Sequence, residues 1–183
     1  LRFDLSGGGE INFQSLVSAT ETVINIDESS ALDMPQLESL TDCTITVMPG
    51  GVLSSATLET ISDSDVSIVS NLGAVAFNGL TTITNSNILV AEGGIWSLPG
   101  LTSMFNTVVT IPDGAGLEAT SLESFTFDNA SDYGLRVSGV SLFSAPMLSD
   151  ISNLRARIEG GGNVELPSVT ECTWNLLCAS DEI

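Results

Sequence analysis

The stretch VAFNGLTTITNSNILV, residues 75–90, decides the fold. Its apolar residues fall at Val75, Phe77, Leu80, Ile83, Ile88 and Val90. Pairs two apart mark strands with one buried face, whereas a helix needs spacings of three and four sustained over about a dozen residues. Nothing in the stretch sustains them. With Leu80 as anchor, the apolar slots lie at −5, −3, 0, +3, +8 and +10.

Working outward, the anchor returns as Leu16, Leu37, Leu58, Leu80, Leu101, Leu122, Leu148 and Val169, at intervals of 21, 21, 22, 21, 21, 26 and 21. The +10 slot returns in step as Ile26, Val47, Ile68, Val90, Ile111, Val137 and Ile158. About five extra residues near 128–133 lengthen the sixth unit and leave the register intact on both sides, which reads as a surface loop on a regular stack. Proline recurs two before the anchor (Pro35, Pro99, Pro146, Pro167), and glycine clusters after the +10 slot (Gly50, Gly93, Gly160). These are corners, where a missing N–H and a positive φ cost little.

Three short strands per 21-residue unit describe an all-β, right-handed parallel β-helix of about eight coils over residues 1–183, a single domain. At about 4.8 Å per rung it makes a rod of about 35–40 Å. A leucine-rich horseshoe has an overlapping period. It fits less well, because two strand-like pairs per unit leave no room for a convex-side helix.

Composition bounds the chemistry. The 183 residues carry 23 Asp and Glu against 4 Lys and Arg, a net charge of −19, with no histidine and, since all four bases are Arg, no lysine. Histidine-centred triads, histidine metal sites, Schiff bases and the P-loop lysine are excluded. A nucleic-acid partner is disfavoured without a basic footprint. With 43% hydrophobic residues the acidity does not imply disorder. No run is long enough for a membrane span, and the absence of a signal-like segment at Leu1 reads as a mature or trimmed piece.

The phrase Gly-Gly-Ile-Trp-Ser-Leu-Pro-Gly-Leu-Thr-Ser (93–103) and its echoes at Ala31–Leu40 and Val164–Thr170 resemble the degenerate repeats of large secreted bacterial surface and adhesin-type β-helix proteins. The resemblance covers nearly the whole chain. It implies the fold and an extracellular or cell-surface location, and it transfers no catalytic residue.

Outward positions supply the site candidates. Slots +2 and +4 form a two-column hydroxyl ladder, with Thr41, Thr60, Thr82 and Thr84 among its members. It resembles the faces of β-helical ice-binding proteins, but serines fill half its rungs, Phe105 interrupts it and Asp150 and Glu171 charge its end, so β-propensity with hydrogen-bonded rungs on a solvated sheet is the plainer reading. Glu38 lies one coil below Glu59, and Asp42 one coil below Asp63. Such stacked carboxylates repel; an oxygen-only cluster suits Ca²⁺, while splaying into water needs no ion. Arg136 and Arg157 share slot +9 in adjacent coils, with Arg155 two residues away, as a candidate ligand-binding spot. β-Helix enzymes that cleave acidic polysaccharides use an arginine beside calcium-binding aspartates, so this spot implies a lyase-like alternative with a polysaccharide substrate. Salt bridging is the plainer role.

Asn129-Ala130-Ser131 is a glycosylation sequon inside the insertion. Cys172 and Cys178 are a candidate disulfide in a C-terminal cap over 170–183, leaving Cys43 unpaired. At the other end Ile11, Phe13 and Leu16 would be uncovered, to be met head to tail by another copy or by flanking coils of a longer chain. The reading favours a non-enzymatic structural segment of an extracellular surface, adhesive or fibre protein, ahead of the lyase-like and ice-binding alternatives.

Overall fold

The computed structural model describes residues 1–69, 75–91, 93–128 and 133–170, together with the backbone of the strand Leu176–Leu177. Parallel strands stack as an all-β solenoid of about seven turns with a spacing of about 21 residues. Of the eighth unit, opened by Val169, the strand backbone of Leu176–Leu177 is the part described beyond position 170.

The coils lay strands on three faces, and the coil holding Leu142–Ser144 reaches the third face only through a bridge between Ser124 and Asp150. The second coil shows the plan: Val23–Ile26 belongs to the first face, Ala31–Asp33 to the second and Ser39–Thr41 to the third. The first face is one sheet of nine strands, from Arg2–Leu5 to Leu176–Leu177. The third is one sheet of six strands, from Ser18–Thr20 to Ser124–Thr126.

The register follows from the apolar pairs. Ile24, Ile45, Val66, Ile88, Val109 and Leu135 lie opposite one another on successive rungs of the first face and are buried. The third face buries Leu40, Ile61, Ile83, Met104 and Phe125 in the same way. A slip of one residue would turn every such column to water, so the pattern admits one register. That register persists across the insertion: Phe105 pairs with Thr126 before it and Val109 with Leu135 after it.

The second face departs from the expected uninterrupted stack, being two four-stranded sheets. One ends at Val75–Ala76 and the other begins at Ile95–Ser97. Two large aromatics meet at the break, Phe77 and Trp96, edge to face with ring centroids 6.1 Å apart. The buried indole Nε1 of Trp96 has no hydrogen-bond partner among the described residues. Elsewhere the corners match expectation. Gly50 turns with φ 83° and Gly160 with φ 60°, while Pro35, Pro99, Pro146 and Pro167 sit in turns.

Candidate functional site

On the nine-stranded face the side chains at +7 and +9 point away from the core. They line a shallow groove of about 440 Å³ that runs across five strands, from Thr44 and Thr46 past Asn87 and Leu89 to Arg136. Among the described lining residues the one carboxylate is Asp65, whose Oδ1 accepts a hydrogen bond from Asn87 Nδ2 at 2.7 Å.

The groove ends at the arginines that the repeat brings together. Arg136 and Arg157 are direct cross-strand partners. Arg157 donates from Nε to Glu159 at 2.6 Å, and its Nη2 lies 2.5 Å from the same carboxylate oxygen. Arg155 stacks over the Tyr133 ring with Cζ 4.9 Å from its centroid, and Arg157 Cζ lies 5.9 Å from the same ring. Such cation–π contacts hold guanidinium groups in place without neutralising them. Sequence reasoning missed Tyr133, because it lies at the end of the insertion and occupies no repeating slot. Glu165 is on another sheet, bonded to Ser144 and Asn163. At the opposite end of the +9 column sits Asp4, which accepts from Arg2 at 2.7 Å; this bond, with one from Asn25, holds the Asp4 carboxyl below its ordinary range.

The hydroxyl ladder is placed as the spacing requires. Thr41 lies opposite Ser62, Thr60 opposite Thr82, and Thr84 opposite Phe105. Its hydroxyls bond partly to one another, Ser62 Oγ donating to Thr41 Oγ1 at 3.1 Å.

The stacked carboxylates have a backbone cause. Asp42 and Asp63 occupy slot +5, where the chain turns from the third face to the first with φ of 54° and 50°. Glu21, Asn85, Asn106 and Asn153 hold the same slot with φ between 48° and 58°. Asn and Asp enter this left-handed region more readily than other side-chain-bearing residues. Glu38 and Glu59 are exposed one rung apart, just before the third face. Among the described residues no group of three or more His, Cys, Asp or Glu could hold a metal ion.

The next slot, +6, carries an arrangement that sequence reasoning also missed: Thr22, Cys43, Ser64, Ser86 and Thr107, all buried. Backbone donors reverse direction at this corner. The +5 amide bonds to the following rung, as Asp42 N does to Ser62 O, while the +7 amide bonds to the preceding one, as Thr44 N does to Thr22 O. The amide between them has no backbone carbonyl to meet, and the +6 side chain of the next rung receives it: Cys43 N donates to Ser64 Oγ at 3.0 Å and Ser64 N to Ser86 Oγ at 3.1 Å. Those hydroxyls in turn donate to carbonyls two residues back, Ser64 to Ser62 and Ser86 to Thr84, each at 2.7 Å. Cys43 takes a serine-like place, its Sγ 3.3 Å from Thr41 O, and burial raises its thiol pKa. The dipeptides Glu21-Thr22, Asp42-Cys43, Asp63-Ser64, Asn85-Ser86 and Asn106-Thr107 were the available signal.

Asn129, Cys172 and Cys178, and with them the glycosylation, disulfide and cap readings, lie outside the described residues. Among the described residues no helix is long and apolar enough to cross a membrane. No family model, no curated protein and no solved structure matches the chain.

Proposed function

We propose that this chain is a non-enzymatic structural segment of an extracellular surface, adhesive or fibre-forming protein, built so that further rungs continue its stack. The observation that carries this reading is the state of the first coil. Phe3, Ile11, Phe13 and Leu16 face the core side but are only partly covered, whereas their counterparts one rung on, Ile24, Leu32, Met34 and Leu37, are at most 1% exposed. The Phe3 and Phe13 rings pack against each other, centroids 5.2 Å apart, on this open surface. An edge of this kind offers unpaired backbone groups beside apolar surface, and a rung of the same period satisfies both. The second coil demonstrates the fit, since it already covers the first coil's other side in register.

The covering rung comes from another copy or from flanking coils of a longer chain, and the 183-residue chain by itself has copies of itself to offer. Heterologous contacts of this sort propagate unless they close into rings. The net charge of −19 opposes association, so salt favours it by screening. Sedimentation velocity over a concentration series at low and high salt tests the reading. The expected result is growth with concentration that is stronger at high salt and abolished in an Ile11→Lys/Phe13→Lys variant, because inward-pointing lysines block an edge. A monomer under all conditions, with a folded first coil, would refute it.

A further inference from the structure

We infer that Asn78 is a site of spontaneous covalent modification, where the side-chain amide is lost through a cyclic imide to leave aspartate and isoaspartate. The inference does not depend on stacking between copies; it rests on how the corner after Val75–Ala76 is built.

Coil after coil, the chain passes from the second face to the third through a turn closed by the amide of the anchor residue. Leu37 N donates to Met34 O at 3.1 Å, and Leu80 N to Phe77 O at 3.1 Å. The first residue inside this turn is proline at Pro35, Pro99, Pro146 and Pro167, which carries no reactive group. In the fourth coil it is Asn78, which is exposed and followed by Gly79.

Every other described asparagine is held by a hydrogen bond from Nδ2 to a carboxylate or a carbonyl, as Asn85 is by Asp63 at 3.2 Å and Asn106 by Asp128 at 3.2 Å. The Asn78 side chain and the Gly79 amide have no such partner among the described residues. Asp113-Gly114, a comparable pair, is fastened at both groups: Gly114 N donates to Val140 O at 3.1 Å, and Asp113 Oδ1 accepts from Val140 N at 2.6 Å. Packing imposes the glycine at 79, since a Cβ there would lie 2.7 Å from Ala56 O on the preceding rung. The same lack of a side chain leaves the Gly79 nitrogen open to the asparagine.

Gly79 N gives up its proton to a base in the solvent and bonds to Asn78 Cγ. The Cγ–Nδ2 bond breaks, and Nδ2 takes a proton from water and leaves as ammonia. Water then opens the imide: addition at Cγ gives aspartate, and addition at the backbone carbonyl carbon gives isoaspartate. Either product adds one negative charge to a chain that carries −19. Isoaspartate also routes the backbone through Cβ and so lengthens it. A Cβ on Gly100 would come within 2.8 Å of Asn78 O, so the following rung is as close to this corner as the preceding one, and the longer backbone pushes them apart.

Ageing the whole folded chain at mildly alkaline pH in heavy-oxygen water tests the assignment, with conversion read at single residues by tandem mass spectrometry that separates isoaspartate from aspartate. The expected result is conversion at Asn78 at least tenfold faster than at Asn85 or Asn106, with heavy oxygen incorporated at position 78 and isoaspartate among the products. The Asn78→Pro variant, which restores the residue found at the equivalent corners Pro35 and Pro99, should keep its melting temperature on ageing while that of the parent falls. Conversion at Asn78 no faster than at Asn85 and Asn106, or confined to chain unfolded in urea, overturns the inference. Conversion without heavy oxygen excludes opening of the imide by water and does the same. A parent whose melting temperature holds while isoaspartate accumulates overturns the close-packed corner from which the reactivity is derived.

Discussion

Replacing Ser64 by alanine tests the account of the corner at the level of single hydrogen bonds. Ser64 is 2% exposed; its Oγ accepts from Cys43 N at 3.0 Å and donates to Ser62 O at 2.7 Å. Alanine removes both bonds, with unequal consequences. Ser62 O keeps the bond from Asp42 N at 3.1 Å, so that loss amounts to about 0.5–1.5 kcal/mol. Cys43 N is left as a buried donor with no acceptor, which costs about 1–3 kcal/mol. One oxygen atom leaves little cavity, so the sum is about 1.5–4.5 kcal/mol, or roughly 3–18 °C of melting temperature for a chain of this size. Ser64→Thr keeps the oxygen and adds a methyl that the same slot accepts at Thr22 and Thr107, so it should cost under about 1 kcal/mol. Urea unfolding of the three proteins at equal salt gives the comparison, with equal slopes confirming that only stability has moved. Alanine within about 0.5 kcal/mol of the parent, or threonine as damaging as alanine, would refute the handover of the +6 amide to a side chain.

Ile88, 1% exposed between Val66 and Val109, should lose about 2–5 kcal/mol on replacement by alanine, by the same urea assay; a loss under about 1 kcal/mol would contradict the buried column. At Asn85, with φ 48°, glycine should be tolerated within a few tenths of a kcal/mol, whereas the β-branched valine should cost about 1–2 kcal/mol; equal melting temperatures for the two variants would contradict a left-handed corner. Burial raises the Cys43 thiol pKa, so its contribution is complete below the unfolded value, about 8.5, and is lost as pH rises through the higher folded value. Stability measured against pH should therefore fall more steeply in alkali for the parent than for Cys43→Ser, and parallel curves would exclude the effect.

The repeat made the register legible because one rung's buried residues must lie over the next. A spacing of 21 or 22 with pairs two apart leaves one way to stack Ile45, Val66, Ile88 and Val109. The same logic put Arg136 beside Arg157. It was less informative where a residue serves the backbone. Asp42 and Asp63 look like paired charges in a sequence, and only the φ values reveal a corner that favours Asn and Asp whatever their charge. Thr22, Cys43, Ser64, Ser86 and Thr107 differ enough in side chain to hide a common role, which is to offer one polar atom in a buried place. The second face is split where Phe77 and Trp96 meet across neighbouring coils, and hydrophobic pattern carries no information on that geometry. Tyr133 was hidden for a different reason, since an insertion shifts the numbering just where the ring meets Arg155.

Electron microscopy of the chain at high protein concentration and high salt shows whether the open first rung accepts another rung. Unbranched rods of constant width whose lengths are multiples of one solenoid are expected, with single short rods for the Ile11→Lys/Phe13→Lys variant. Single short rods from the parent chain, or rods that the two lysines leave unchanged, would contradict it.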